Sequence, residues 1–261
     1  MKTSLRIALL LPAVGMLAFT HTTNAASTAG DNASNVPYDD GWQNGDNGGF
    51  GFSAWTLNTT GGVAGRFIGN STGLASPGAN INVGGESFGM YGASASQSNA
   101  LRDFTGSLSV GQTFSIQLAV NFRNGFKGID LLATSTPIFT FNTVGDDYVV
   151  SNATTGNGSI GNAYSDNTAF AVSVTQTSAG GGTWSIIRSG GVSDSDSGTY
   201  TGVATGFKLF VGNTDGGSPN DFFSNSMTVS AVPESSTWGA LMGALAALLV
   251  FRRIRTRARL H

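Results

Sequence analysis

Alternating apolar and polar positions recur along the middle of the chain. The clearest run is Thr113 to Phe122, where Phe114, Ile116, Leu118, Val120 and Phe122 alternate with polar or small residues. A period of two sustained this long predicts a half-buried strand. Asn124-Gly125 then signals a turn, with the next strand over Gly128 to Ala133. Phe170, Val172 and Val174 alternate within a strand over Phe170 to Thr177. Trp184 and Ile186 continue that face after an Ala-Gly-Gly-Gly turn, in a strand over Thr183 to Arg188. Shorter runs predict strands at Val63–Ile68, Ser87–Tyr91, Ser107–Val110, Ile138–Phe141, Tyr148–Ser151, Gly206–Val211 and Ser226–Ala231. About eleven short strands separated by turn signals, with no crossover helix, predict an all-β fold. The architecture expected is a two-sheet sandwich of jelly-roll or concanavalin-like type. No fixed repeat period supports a solenoid.

Composition agrees with that pattern. Glycine is abundant (38 residues), Ser, Thr and Asn fill most of the rest, and helix formers are scarce between the ends. Such a composition also suits a disordered chain. The regular apolar runs and 17 phenylalanines argue for a folded one. There is no cysteine, so no disulfide framework or thiolate chemistry exists. Between Ala26 and Ala231 there are six basic and fourteen acidic residues, which gives 6 − 14 = −8. An acidic body argues against nucleic acid as a partner.

The two ends differ from the body. Lys2 and Arg6, an apolar stretch from Ile7 to Phe19, and Thr23-Asn24-Ala25 have the order of a secretory signal peptide cleaved after Ala25. Residues 26–37 are small and polar and are expected to form a loose leader before a β domain over 38–231. At the other end Val232-Pro233-Glu234-Ser235-Ser236-Thr237 leads into an uncharged run from Trp238 to Phe251. Arg252, Arg253, Arg255, Arg257 and Arg259 follow. A single transmembrane helix is expected over about 236–251, with a basic tail over 252–261. The uncharged run makes about 21 Å of helix at ~1.5 Å per residue, short of a hydrocarbon core of about 30 Å. The arginines, as a basic stop, predict a single pass with the body outside and the C-terminus inside.

This C-terminal layout resembles a PEP-CTERM sorting signal, over Val232 to about Arg259. The resemblance implies a Gram-negative bacterium that makes exopolysaccharide. It implies transient recognition by exosortase, a membrane protease or transpeptidase, with Val232, Pro233 and Glu234 as the processing motif. Removal of the tail would convert an inner-membrane intermediate into a cell-surface or matrix protein. The family's second proline is Ser235 here. A second resemblance runs from Gly41-Trp42 through Gly48-Gly49-Phe50-Gly51-Phe52 to Trp55, then Gly65-Arg66-Phe67-Ile68-Gly69, and Ala100 to Gln112. It is similar to an exported β domain of surface proteins that carry this kind of tail, and it brings no activity with it.

Candidate chemistry is sparse. The histidines are His21, in the signal peptide, and His261, the last residue, so no imidazole serves catalysis or metal binding in the body. Glu86 is its one glutamate, where a sandwich glycosidase wants paired carboxyls. No catalytic residue, cofactor or metal ligand is assigned. Asp194-Ser195-Asp196-Ser197-Gly198 reads either as a weak Ca²⁺ loop or as a solvated turn, and the missing ligands favour the turn. Tyr38 to Trp55 interleaves aromatics with Gly and Asn. It reads either as a sugar-stacking platform, with Trp42 and Trp55 as the stacking residues beside Phe50 and Phe52, or as turns with the aromatics in the core. The Asn-Gly and Asp-Asn-Gly-Gly signals favour the second. The function expected is a sorted surface or exopolysaccharide-matrix protein with a structural or interaction role. The alternatives are a lectin-like polysaccharide-binding module and, behind it, an enzyme acting on extracellular polymers.

Overall fold

A computed structural model describes residues 26–75, 78–156 and 160–231. The expected signal peptide with its Ala25 cleavage site, the Val232-Pro233-Glu234 motif, the transmembrane helix and the arginine stop lie outside the described residues. Among the described residues no helix is long and apolar enough to cross a membrane.

The described residues build fourteen strands. The first seven are β1 (Ala26–Asp31), β2 (Thr56–Thr60), β3 (Ala64–Gly69), β4 (Ser87–Gly92), β5 (Gln97–Asp103), β6 (Gln112–Val120) and β7 (Phe126–Ala133). The others are β8 (Thr136–Val144), β9 (Asp147–Ser151), β10 (Thr168–Ser178), β11 (Gly181–Gly190), β12 (Asp194–Thr201), β13 (Gly206–Gly212) and β14 (Phe222–Ala231). They form two antiparallel sheets. The eight-stranded sheet has the order β12-β11-β10-β6-β14-β4-β3, with β1 paired to β14 off that path. The six-stranded sheet has the order β2-β5-β13-β7-β8-β9.

The sheets pack face to face, as the alternation predicts. Phe114, Ile116, Leu118 and Val120 of β6 are all buried, and so are Phe207, Leu209 and Val211 of β13. Rings meet across the gap: Phe114 stacks on Phe207 at 4.8 Å between centroids, Phe141 meets Phe170 edge-on at 4.7 Å, and Phe139 lies 5.3 Å from Trp184. Aromatic pairs of this kind add to area burial and fix how the sheets face each other.

Ten of the expected strands are present, and several expectations are corrected. Residues 26–37 are not a loose leader. Ala26–Asp31 is β1, paired with β14 from Ala26↔Ala231 to Asp31↔Met227, and Val36–Tyr38 is a 3-10 turn. Its partner lies about two hundred residues away, so no local signal marks it. Ser107–Val110 is a connection rather than a strand; Leu108 N donates to Ala204 O at 2.8 Å. The Asn124-Gly125 turn does not close a hairpin, because β6 and β7 belong to different sheets. Asp194–Gly198 is neither a turn nor a Ca²⁺ loop but part of edge strand β12. There Asp194 pairs with Arg188 and Asp196 with Ile186, on the inward side, while Ser195 and Ser197 face the other way. Carboxylates and hydroxyls that alternate across a strand do not converge on one ion.

Candidate functional site

Tyr38 to Trp55 divides between core and surface. Trp42 is 4% exposed and Trp55 1% exposed, and they pack edge-on at 5.0 Å. Phe52 is buried as well, 6.2 Å from Phe207. Stacking on a sugar ring by Trp42 or Trp55 is therefore excluded; hydrophobic burial has claimed them. Phe50 alone of these four stands out, 57% exposed.

A polar network under the tryptophans holds this segment. Arg102 pairs with Asp31 and also bonds Asn47 Oδ1 and, through Nε, Ser53 O at 2.7 Å. Its guanidinium lies 4.8 Å from the centroids of both Phe52 and Trp55. Tyr38 donates to Asp31 and accepts from Trp55 Nε1 at 3.1 Å and from Gly48 N at 3.1 Å. Burial, with Asp31 beside it, pushes the Tyr38 phenol well up, so it stays a neutral donor. Asp31, Tyr38, Arg102 and Trp55 Nε1 thus satisfy one another, which is what makes their burial tolerable, while the buried Trp42 Nε1 has no hydrogen-bond partner among the described residues.

Phe50 is set against β1 by a bridge of two hydrogen bonds, Gly30 N to Phe50 O and Phe50 N to Gly30 O, both 3.0 Å. Glycines permit this approach. A Cβ on Gly49 would lie 2.1 Å from Gly30 O, and one on Gly51, whose φ is +73°, would lie 2.4 Å from Thr28 O. A Cβ on Gly30 would stand 3.2 Å from the Phe50 ring, so the ring rests on bare backbone. It borders a groove of about 540 Å³ that Asn32, Asn35, Gly48 and Thr228 also line. Asn32 Nδ2 bonds Asn35 Oδ1 at 3.3 Å, and Asn35 Nδ2 bonds Asp31 Oδ1 at 2.7 Å. Each amide nitrogen carries two N–H donors and uses one in this chain, so donors remain beside the ring.

The groove lies where the outer face of the eight-stranded sheet changes character. On one side the segments 70–75 and 78–86 roof the sheet: Leu74, Ala79 and Ile81 pack on Ala119 and Phe223. Asn225, fully buried, fastens the junction. It accepts from Ala33 N at 3.1 Å and donates to Glu86 O at 2.7 Å and Ile81 O at 3.1 Å. The next residue, Ser226, has φ 54°, unusual outside glycine, and β14 bulges there. Beyond the roof the sheet is open and carries hydroxyls in register. One row runs Ser230–Thr113–Thr175–Thr183–Thr199 across β14, β6, β10, β11 and β12. The next runs Thr228–Ser115–Ser173–Ser185–Ser197 on the same strands. Thr113 and Thr175 hydroxyls are 2.8 Å apart, and Ser115 and Ser173 hydroxyls 3.1 Å. These positions passed unnoticed in the sequence, although each strand carries a hydroxyl–x–hydroxyl triplet, such as Thr183-Trp184-Ser185, around an inward residue.

A second cavity, of about 400 Å³, opens on the outer face of the six-stranded sheet beside Ser53, Asp103, Thr134 and Lys208. Lys208 is already paired with Asp130 at 2.6 Å, and Asp130 also accepts from Thr140 at 2.6 Å. Among the described residues no three acidic or imidazole groups gather to hold a metal.

No family model matches the chain, and no curated protein matches it. Solved structures align with the chain at low similarity. A sialidase aligns with TM-score 0.40 and 12% identity over 59% of this chain, which spans only 16% of that protein. An alginate lyase of polysaccharide lyase family 7 aligns with TM-score 0.39 and 11% identity, over 60% of this chain and 84% of that one. The Ca²⁺-bound exoplasmic/lumenal domain of VIP36 aligns with TM-score 0.35 and 10% identity, over 68% of this chain and 83% of that one. At these scores none of the three proteins' activities carries over.

Proposed function

We propose that this chain is an exported, non-catalytic module of the cell surface or matrix that binds extracellular polysaccharide through the groove beside Phe50, on a sandwich of jelly-roll type. The observation that carries the binding reading is a phenylalanine held on bare backbone by two hydrogen bonds, exposed, next to two asparagine amides. An exposed ring over a groove with amide donors is the arrangement that stacks on a sugar's apolar face and bonds its hydroxyls. Glycan-array binding by the exported protein tests it. The Phe50→Ala protein is expected to lose binding with its melting temperature unchanged. Equal binding by both proteins would refute the reading.

Delivery follows from the ends. The reading is a signal peptide cut after Ala25, a sorting motif at Val232, Pro233 and Glu234 read by an exosortase-like protease, and brief retention in the membrane by residues 236–251. One structural observation supports it. Ala26 and Ala231 are register partners, so both removable segments leave from one strand pair. Mass spectrometry of the exported protein is expected to show Ala26 first and a C-terminus short of His261. A mature form still ending at His261 would overturn the processing.

A further inference from the structure

The open outer face beyond Phe50 differs from the rest of the molecule in charge. The body carries fourteen acidic residues, yet no outward-facing position on β6, β10, β11, β12 or the second half of β14 is charged. What those positions present instead is the two hydroxyl rows. Between β10, β11 and β12 they border a shallow trough of about 310 Å³ lined by Ser173, Thr175, Thr183, Ser185, Ser197 and Thr199. Beside it Ile187 stands 57% exposed on the same face, as Phe50 does at the other end. Among the described residues the hydroxyls of Thr183 and Ser185 have no protein partner, and each bonded pair, Thr113 with Thr175 and Ser115 with Ser173, keeps a donor and lone pairs.

We propose that this field extends the Phe50 groove and that its ligand is an uncharged polysaccharide, a single chain lying across the strands from Phe50 toward β12. The inference rests on the glycan-binding reading above and adds the ligand's class and course. Three features of the face carry it. A polyuronate or sulfated chain would need cations to balance its charge, and this face has none in an acidic body. A neutral glycan offers hydroxyls that donate and accept, which matches a surface of groups that do both. Adjacent strands are about 4.8 Å apart, comparable to the length of one sugar residue in an extended chain, so five strands offer hydroxyl pairs to about five successive sugars. Sheet twist of roughly 20–25° per strand turns those pairs progressively, which suits an isolated chain and not the flat face of a crystalline polymer.

The test compares soluble neutral glycans of increasing length with a polyuronate, by calorimetry on the exported protein. Neutral oligosaccharides are expected to gain affinity up to about five sugars and then level off, with the polyuronate at least tenfold weaker. Placing two carboxylates on the face, Ser173→Asp with Ser185→Asp, is expected to weaken neutral-chain binding at least tenfold. The near-isosteric Thr183→Val with Ser185→Ala removes hydroxyls with little disturbance of the fold and is expected to weaken it severalfold. Binding lost in Phe50→Ala but unchanged in both face variants, or tighter binding of the polyuronate, would overturn the field and leave the Phe50 site standing. Absence of binding to every glycan would overturn the Phe50 site as well.

Discussion

The guanidinium of Arg102 lies between the rings of Phe52 and Trp55, paired with Asp31 from β1. Both charged side chains are fully buried, so removing one leaves the other without its counter-ion. Arg102→Met is expected to cost about 3–5 kcal/mol, measured by denaturant unfolding. Asp31→Asn combined with Arg102→Met should cost less than the two single changes added together, because the pair is lost as a unit. Gly51→Ala acts nearby through the backbone. A residue with a Cβ at φ +73° is strained, and the methyl group would meet Thr28 O. Lower stability and lost glycan binding are expected together, since this segment seats Phe50. The aromatic-and-glycine stretch was legible in the sequence as something more than linker, and its turn signals correctly put tryptophans in the core. Which aromatic stays outside was not legible. That depends on β1 passing beneath Phe50, a contact between segments that periodicity does not describe.

At the scale of elements, strands with an apolar inward face were found and strands without one were missed. β6 and β10 alternate apolar residues and read plainly. β5 (Gln-Ser-Asn-Ala-Leu-Arg-Asp) and β12 (Asp-Ser-Asp-Ser-Gly-Thr-Tyr-Thr) have little apolar character and exist because neighbouring strands supply the ladder. β5 lies between β2 and β13, and β12 pairs with β11. The β6–β7 connection shows the same dependence on context. It crosses between sheets, and buried Lys127 at the start of β7 fastens it by donating to Phe122 O at 2.7 Å and Asn220 O at 2.9 Å. Burial lowers the Lys127 amine to about 8 and raises Asp221, beside it, to about 6, each charge partly offsetting the other's shift. For Asp221 the native state binds the proton more tightly than the unfolded chain, whose ordinary value is 3.8. Its contribution is therefore most favourable below about pH 4 and declines as pH rises through 6. Melting curves from pH 4 to 7 should show Asp221→Asn losing less stability than the parent over that interval. Parallel curves would mean that Asp221 titrates as an ordinary surface acid.

For the whole molecule, three of the six basic residues of the body, Arg102, Lys127 and Arg188, are buried. Two of the fourteen acidic residues, Asp31 and Asp130, are buried as well, so the remaining charges sum to 3 − 12 = −9, and the uncharged hydroxyl face stands out against them. The two-sheet class was legible because alternation and turn signals are local. The sheet order was not, because it joins β1 to β14 and β2 to β5 over long stretches of chain. With no disulfide to close the body, the β1–β14 pair joins the first and last strands of the described residues. β1 also covers the second half of β14, whose backbone would otherwise be an open edge. Truncation to begin at Ala29 keeps Asp31 and its ion pair but removes the Ala26↔Ala231 and Ser27↔Ser230 pairings. The expected result is a lower melting temperature and self-association that grows with concentration in sedimentation velocity, as freed β14 edges pair with each other. An unchanged, monomeric truncated protein would mean that the first three residues of β1 add nothing. It would also remove the structural reason for a signal-peptide cut that leaves Ala26 in place.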